Sequence, residues 1–554
     1  MDRDGASLSR RSALALSAAA SAALVNPAHA ADGTKIGAHQ DPGNCSTPRS
    51  AIANTQYGKV RGFLDGGVFT FKGVPYGQDT GGANRWLPAK PPTPWTDERH
   101  TLIYGANCPQ TLHDFKAIET SFLFDWDDGF LGEDMLKLNI WTPSLTGKRP
   151  VMVYFHGGGF SFGSAYELAS HDGAQMARHH DVVQISVNHR LNALGFLDVS
   201  EIGGPDYAES ANVGMTDLVA ALRWVRDNVA NFGGDPNRVM IYGQSGGGSK
   251  VTCLMGMPSA KGLFHCAAVQ SGGGGNFADA EQSRALARQL MVELGLKPND
   301  IAALQQLEWS KLYAAGQAAI AKVNASLPLD AFPPGAVRRA GWAPTMDGHV
   351  VPMRPFFDAA PEISKDIPLI VGSVSEEGYS YRSNPNETEW RTTLTKTYGA
   401  DKANRLVDAM KTANPSKSVR TLSYGVRGLA VRNNVDRMVR LKQAIGGAPV
   451  YQYWFTWQSP QLDGVAGAWH TSELAFCFDN TKRCEQGTGN TPEAQKLAKI
   501  MATAWANFAA IGNPSQSGLA WPPADRGTMQ TMIFDNHCRM VNDPDANVRS
   551  ILLS

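Results

Sequence analysis

Between residues 137 and 374 one pattern recurs: short apolar runs rich in valine and isoleucine, with helical stretches between them. The runs are "LKLNIWTP", "PVMVYFHGGGF", "DVVQISVNHR", "RVMIYGQS" and "DIPLIVGSV". Near-continuous apolar runs of this length suit strands that are covered on both faces. In "NVGMTDLVAALRWVRDNVANFGG", Leu218, Leu222, Val225 and Val229 lie at spacings of four, three and four. That spacing puts them on one helical face, and Gly233-Gly234 ends the pattern. Strand alternating with helix predicts an α/β fold: a central, mostly parallel twisted sheet flanked by helices.

The flanking segments read differently. "VRGFLDGGVFTFKGVPYG" (60–77) predicts small N-terminal antiparallel strands. Residues 278–330 are rich in Ala, Leu and Gln without a strand signal, and 332–348 reads as irregular loop. Together, 278–342 are expected to form an inserted helical cap region. No composition break divides 31–554, so a single domain is expected. Lys plus Arg and Asp plus Glu balance at 51 each, which gives no basic excess for a nucleic-acid partner. "LSRRSALALSAAASAALVNPAHA" has a charged start with Arg10-Arg11, an apolar run and an Ala28-His29-Ala30 cleavage site. This predicts a twin-arginine signal peptide over 1–30, a periplasmic or secreted product, and no stable membrane anchor after processing. Export permits disulfides, and the chain has seven cysteines. One or more bridges are expected, with Cys477 and Cys484 placed to close a small loop.

"IYGQSGGGSKV" (241–251) supports two opposed readings. Gly246 to Ser249 spells GGGS, the composition of a flexible linker. Gly243-Gln244-Ser245-Gly246-Gly247 is G-x-S-x-G, the mark of a serine nucleophile on a strained turn. The pentapeptide alone is weak in so glycine-rich a chain; its context decides. Val239 to Tyr242 reads as the end of a strand and "GGGSKVTCLMGM" as the start of a helix, the setting a nucleophile elbow demands.

A serine nucleophile needs a base, and the base an orienting acid. In this architecture the chain order is serine, acid, histidine. Of the four histidines after Ser245, His265 is too close along the chain. His349 leaves little room for a strand carrying the acid. His470 and His537 both survive. "DIPLIVGSVSEEGYS" supplies Glu376 and Glu377 just beyond a strand, where such sheets bind ligands, and one of the two is expected to be a solvated loop charge. "VYFHGGGFSFG" places His156-Gly157-Gly158-Gly159 after another strand, as in the HGGG-type loops that donate amides to an oxyanion.

Seven blocks in order then resemble the type-B carboxylesterase family, a branch of the α/β-hydrolase fold that includes para-nitrobenzyl esterases and cholinesterases. They are "FKGVPYG", "GEDMLKLNIWTP", "HGGGF", "NHRLNALGFL", the segment from Asn212 through "GQSGGG", "GLFHCAAVQSG" and "HTSELAFCF". The resemblance implies a serine carboxylesterase acting on small-molecule esters, with the triad Ser245, Glu377 and His470. It implies oxyanion donors at Gly158, Gly159 and Gly246, no metal or organic cofactor, and a monomer or weak oligomer. Hydrolysis of amides, carbamates or thioesters, or a non-catalytic binding role, is the alternative. The chain departs from the family at three points: Gln244 replaces the usual glutamate, Gly246 the usual alanine, and Met135 a cysteine that would pair with one like Cys108. The walls of the pocket are expected from Phe122 to Phe130 and from 278–342.

Overall fold

A strand covered on both faces must give its backbone N–H and C=O groups to neighbouring strands. The apolar runs do this in one twelve-stranded sheet. The computed structural model describes residues 43–112, 118–273, 277–326, 340–380 and 383–553. The leader expected over 1–30 lies outside the described residues. In chain order the sheet comprises β1 (Asn44–Cys45), β2 (Phe63–Asp65), β3 (Val68–Pro75), β4 (Lys137–Thr142), β5 (Arg149–Phe155) and β6 (Val183–Val187). It continues with β7 (Gly234–Gln244), β8 (Cys266–Gln270), β9 (Leu369–Val374), β10 (Val450–Phe455), β11 (Gln530–Phe534) and β12 (Arg539–Asn542). Their spatial order is β1-β2-β3-β4-β6-β5-β7-β8-β9-β10-β11-β12. The run from β6 to β11 is parallel throughout, and antiparallel strands extend both edges.

Alternate side chains along each central strand feed two separate cores. Val151, Val153 and Phe155 of β5, with Val239 and Ile241 of β7, enter one; Met152, Tyr154, Met240 and Tyr242 enter the other. All nine are at most 1% exposed. Helix α1 (Val213–Asn228) buries Leu218, Leu222 and Val225 in the first core, and Val229 follows in the next turn. Gly233 ends the segment at φ 75°, in the left-handed region that favours glycine.

The sequence reading and the structure diverge in three places. The early strands do pair antiparallel, but as β1 to β4 they extend the main sheet. A separate three-stranded sheet forms from Ile52–Thr55, Gly58–Arg61 and Arg99–His100, and its last pairing is parallel. Within the inserted region, helices Ala280–Glu293, Ile301–Gln305 and Trp309–Ser326 are bracketed by paired two-residue strands, Ala278–Asp279 and Thr345–Met346. Strands that short leave no periodicity to read. Residues 327–339 of the expected cap lie outside the described residues. Finally, all seven cysteines are free thiols, contrary to the expected bridges. The Cys477 sulfur is buried against Gln270, whose Nε2 donates to it at 3.2 Å, while Cys484 begins a different helical turn. Among the described residues, no helix is long and apolar enough to cross a membrane.

Candidate active site

Four candidate groups lie at the carboxyl ends of four strands of the parallel run: Gly157 to Gly159 after β5, Ser245 after β7, Glu377 after β9 and His470 beyond β10. Side chains and loops converge at such ends in open parallel sheets. β7 passes into α2 (Gly246–Gly256) through Ser245, whose backbone is held at φ 57°, ψ −122°. A non-glycine residue at that φ is strained, and the fold pins it there: the Ser245 amide donates to Gln270 O at 2.7 Å. The bend leaves no room for side chains. A Cβ on Gly247 would lie 2.0 Å from Phe155 O. The free amides of the first turn of α2 point toward the serine, and their dipole favours negative charge there.

His470 Nδ1 donates to Glu377 Oε2, a carboxylate oxygen on a side chain with no exposure. Glu377 Oε1 accepts from the Val374 amide at 3.2 Å, so both oxygens are occupied. His470 itself is 30% exposed at the side chain. Gln244 Nε2 lies 3.4 Å from its Nδ1 and 3.3 Å from its Nε2. The adjacent Thr471 is held at φ 85°, a strained angle for a β-branched residue.

Glu376 is not a solvated loop charge. It is 2% exposed. Its Oε1 accepts from Lys417 Nζ at 2.5 Å, and its Oε2 from the Ala468 amide at 2.8 Å. Its own amide donates to Ala468 O at 3.0 Å, and Glu376 and Trp469 form a parallel β-bridge. Two successive glutamates therefore divide the work: Glu376 staples the histidine loop to the end of β9, and Glu377 bonds the imidazole. His537 is not brought to this cluster.

The glycine loop after β5 sits on the first turn of α2. Gly158 and Gly159 have φ of 76° and 63°. A Cβ on Gly246 would fall 2.4 Å from Gly159 N, Cα and O, so the loop backbone occupies the place of the methyl that the family's usual alanine would carry. Beneath the loop, Lys250 is fully buried and donates from Nζ to His156 O at 2.8 Å and Gly157 O at 3.3 Å. Burial pulls the Lys250 amine down to about 7, against the attraction of Glu167. Burial likewise pushes the Glu167 carboxyl up to about 8. His156 is held well below its ordinary value by burial and by Lys250, and its Nδ1 lies 3.0 Å from Gly157 O, a structural place in the loop. The carboxyl of Glu473, one turn past His470, is pushed up to about 8 by burial, reinforced by Glu377.

Ser245 and His470 open onto a cavity of about 450 Å³ whose aromatic walls are Phe124, Trp126, Phe162, Tyr379 and Trp469. The expected contribution from 122–130 is present in Phe124 and Trp126. Among the described residues, none from 278–342 lines this cavity, and Tyr379, Arg427 and Trp469 supply that wall instead. The inserted helices turn inward, burying Leu286, Leu290, Leu312 and Ala319 in the first core. Lys250, Glu167 and Arg427 were not identified from the sequence. A lone lysine in the otherwise uncharged helix after the serine was the one available signal.

The sequence profile of the Carboxylesterase family matches residues 49–549. The para-nitrobenzyl esterase of Bacillus subtilis is 30% identical over 505 residues, spanning 90% of this chain and 98% of that protein. The phenmedipham hydrolase of Pseudarthrobacter oxydans is 34% identical over 484 residues, 85% and 92% of the two chains. Among solved structures, an esterase from anaerobic Clostridium hathewayi that can hydrolyse aliphatic aromatic polyesters superimposes with a TM-score of 0.76. It is 34% identical and covers 92% of this chain and 99% of its own.

Proposed function

Since the chain belongs to the carboxylesterase family and is a carboxylic ester hydrolase, we propose that it cleaves aromatic esters through an acyl-enzyme on Ser245. The observation that carries this reading is the Glu377–His470 hydrogen bond beside a strained Ser245, in one cavity with the glycine loop. With Nδ1–H committed to Glu377, the Nε2 lone pair of His470 is the base that takes the Ser245 proton. The alkoxide attacks the ester carbonyl. The amides of Gly158, Gly159 and Gly246 receive the oxyanion, and Glu377 stabilises the imidazolium. The imidazolium gives its proton to the departing alcohol. Water then attacks the acyl-enzyme, with His470 as base again, and releases the acid. Ser245 and His470 make no hydrogen bond in the resting geometry; such bonds are often long in free enzymes and tighten once substrate is seated.

Support for an aromatic substrate comes from the ring-lined cavity and from the relative that can hydrolyse aliphatic aromatic polyesters. Hydrolysis of p-nitrophenyl acetate tests the mechanism. Ser245→Ala should abolish turnover, and mass spectrometry of quenched wild type should find the acetyl group on Ser245. Glu377→Gln should cost far more activity than Glu376→Gln, and equal losses overturn the assignment of the acid. Export is part of the same proposal, resting on the paired arginines and Ala28-His29-Ala30. It predicts a mature N-terminus at Ala31, and an intact leader on the exported protein refutes it.

A further inference from the structure

A second compartment, of about 210 Å³, meets the aromatic cavity at Ser245 and His470, and Arg427 lines both. Its outer wall is helix α3 (Val419–Ile445), which presents Arg427, Val431 and Asn434 at spacings of four and three, one helical face. Ser249 and Gly272 also line the compartment and add a hydroxyl and polar main chain. The helix is docked onto the acid's own turn: the Gly378 amide donates to Tyr424 O at 3.2 Å. A Cβ on Gly378 would sit 3.2 Å from the Arg427 Cβ.

Arg427 is exposed, and among the described residues it makes no ion pair or hydrogen bond. The acids that line the two compartments already have partners of their own. Glu377 lines the small compartment, but its two oxygens serve His470 and the Val374 amide. Glu167 lines the aromatic cavity, where burial pushes its carboxyl up to about 8 and its charge partner is the buried Lys250. A guanidinium without a partner among the described residues, lining two pockets that share Ser245 and His470, offers a forked site for a carboxylate.

We infer that the small compartment receives an acyl chain ending in a carboxylate, which Arg427 binds. The substrates this favours are half-esters of short dicarboxylic acids with aromatic alcohols. The ring occupies the larger cavity, the charged end reaches Arg427, and hydrolysis yields the phenol and the free diacid. This inference rests on the esterase reading above and deepens it.

The test compares mono-p-nitrophenyl glutarate with p-nitrophenyl valerate, a neutral ester of the same chain length. The readout is the ratio of kcat/KM, anionic over neutral, in wild type, Arg427→Leu and Arg427→Lys. Arg427→Leu should lower the ratio about tenfold, the size of one charge-assisted contact at a partly wet site. Arg427→Lys should restore part of it. In wild type the ratio should fall as salt rises, because the contact is screened. If wild type cleaves the neutral ester and the ratio is unmoved by both Arg427→Leu and salt, the carboxylate site is refuted while the esterase reading stands. If wild type cleaves neither ester, the esterase reading falls, and this inference with it.

Discussion

Gly246→Ala should disable the enzyme, although alanine is the residue that the resemblance to the family leads one to expect there. The backbone permits the change, because Gly246 is not among the glycines at positive φ. The obstacle is tertiary. The new methyl would lie 2.4 Å from the N, Cα and O of Gly159, about 1.0 Å short of the 3.4 Å at which ordinary contact begins. These are backbone atoms, so no side-chain rotation relieves the clash and the loop must move. Gly159 N–H is a proposed oxyanion donor. Losing one such donor costs about 10²–10³ in kcat, or ~3–4 kcal/mol. A displacement of about 1 Å is enough to cause a loss on that order. Because the donor acts on the transition state, KM should change little. Alanine also raises helix propensity in the first turn of α2 by up to ~1 kcal/mol, which offsets part of the packing strain. Melting temperature should therefore stay near wild type while kcat collapses. Steady-state hydrolysis of p-nitrophenyl acetate, alongside a circular-dichroism melt, separates the two effects. An alanine variant with near-wild-type kcat would refute the reasoning, since the loop would then have moved without cost.

Three further outcomes are expected. Gln244→Glu sets a negative charge beside the His470 ring, 3.3 Å from Nε2 in the present geometry, and favours the imidazolium. Since the base must be neutral, the acidic limb of the kcat/KM profile should move to higher pH, and an unmoved limb contradicts the placement. Lys250→Met removes the amine that donates to His156 O and Gly157 O. The Gly157 carbonyl shares its peptide unit with the Gly158 N–H, so kcat should fall by about tenfold or more as that donor loses polarisation and anchorage. Unchanged kcat would leave Lys250 a packing residue. Glu473 is raised by burial from its ordinary 4.5 to about 8, so the folded state keeps a proton that the unfolded state releases across that window. Its stability contribution is full below pH 4.5 and is lost as pH rises toward about 8, by up to ~1.4 kcal/mol per pH unit. Glu473→Gln should flatten the denaturant midpoint against pH across this window. The slope falls rather than vanishes, because Glu167 carries a shift in the same direction.

Features set by neighbours in sequence were legible in advance. Leu218, Leu222, Val225 and Val229 announced their helix because burying one face imposes a period on the chain. The apolar runs announced a parallel sheet because strands covered on both faces read as near-continuous apolar runs. The tight turn at Ser245 was legible because G-x-S-x-G sets glycines two residues on either side, with a strand before and a helix after. Tertiary structure decided what depends on groups far apart in the chain. Glu377 meets His470, 93 residues on, because β9 and β10 lie side by side, and their pairing sends Glu376 to Ala468 and Lys417. The cysteines stay unpaired because core packing, not spacing, fixes where Cys477 points. The cavity takes its wall from Tyr379, Arg427 and Trp469, while the inserted helices bury their apolar faces elsewhere. Short-range sterics and periodicity are written residue by residue. Which side chains meet is written only in how the strands are ordered across the sheet.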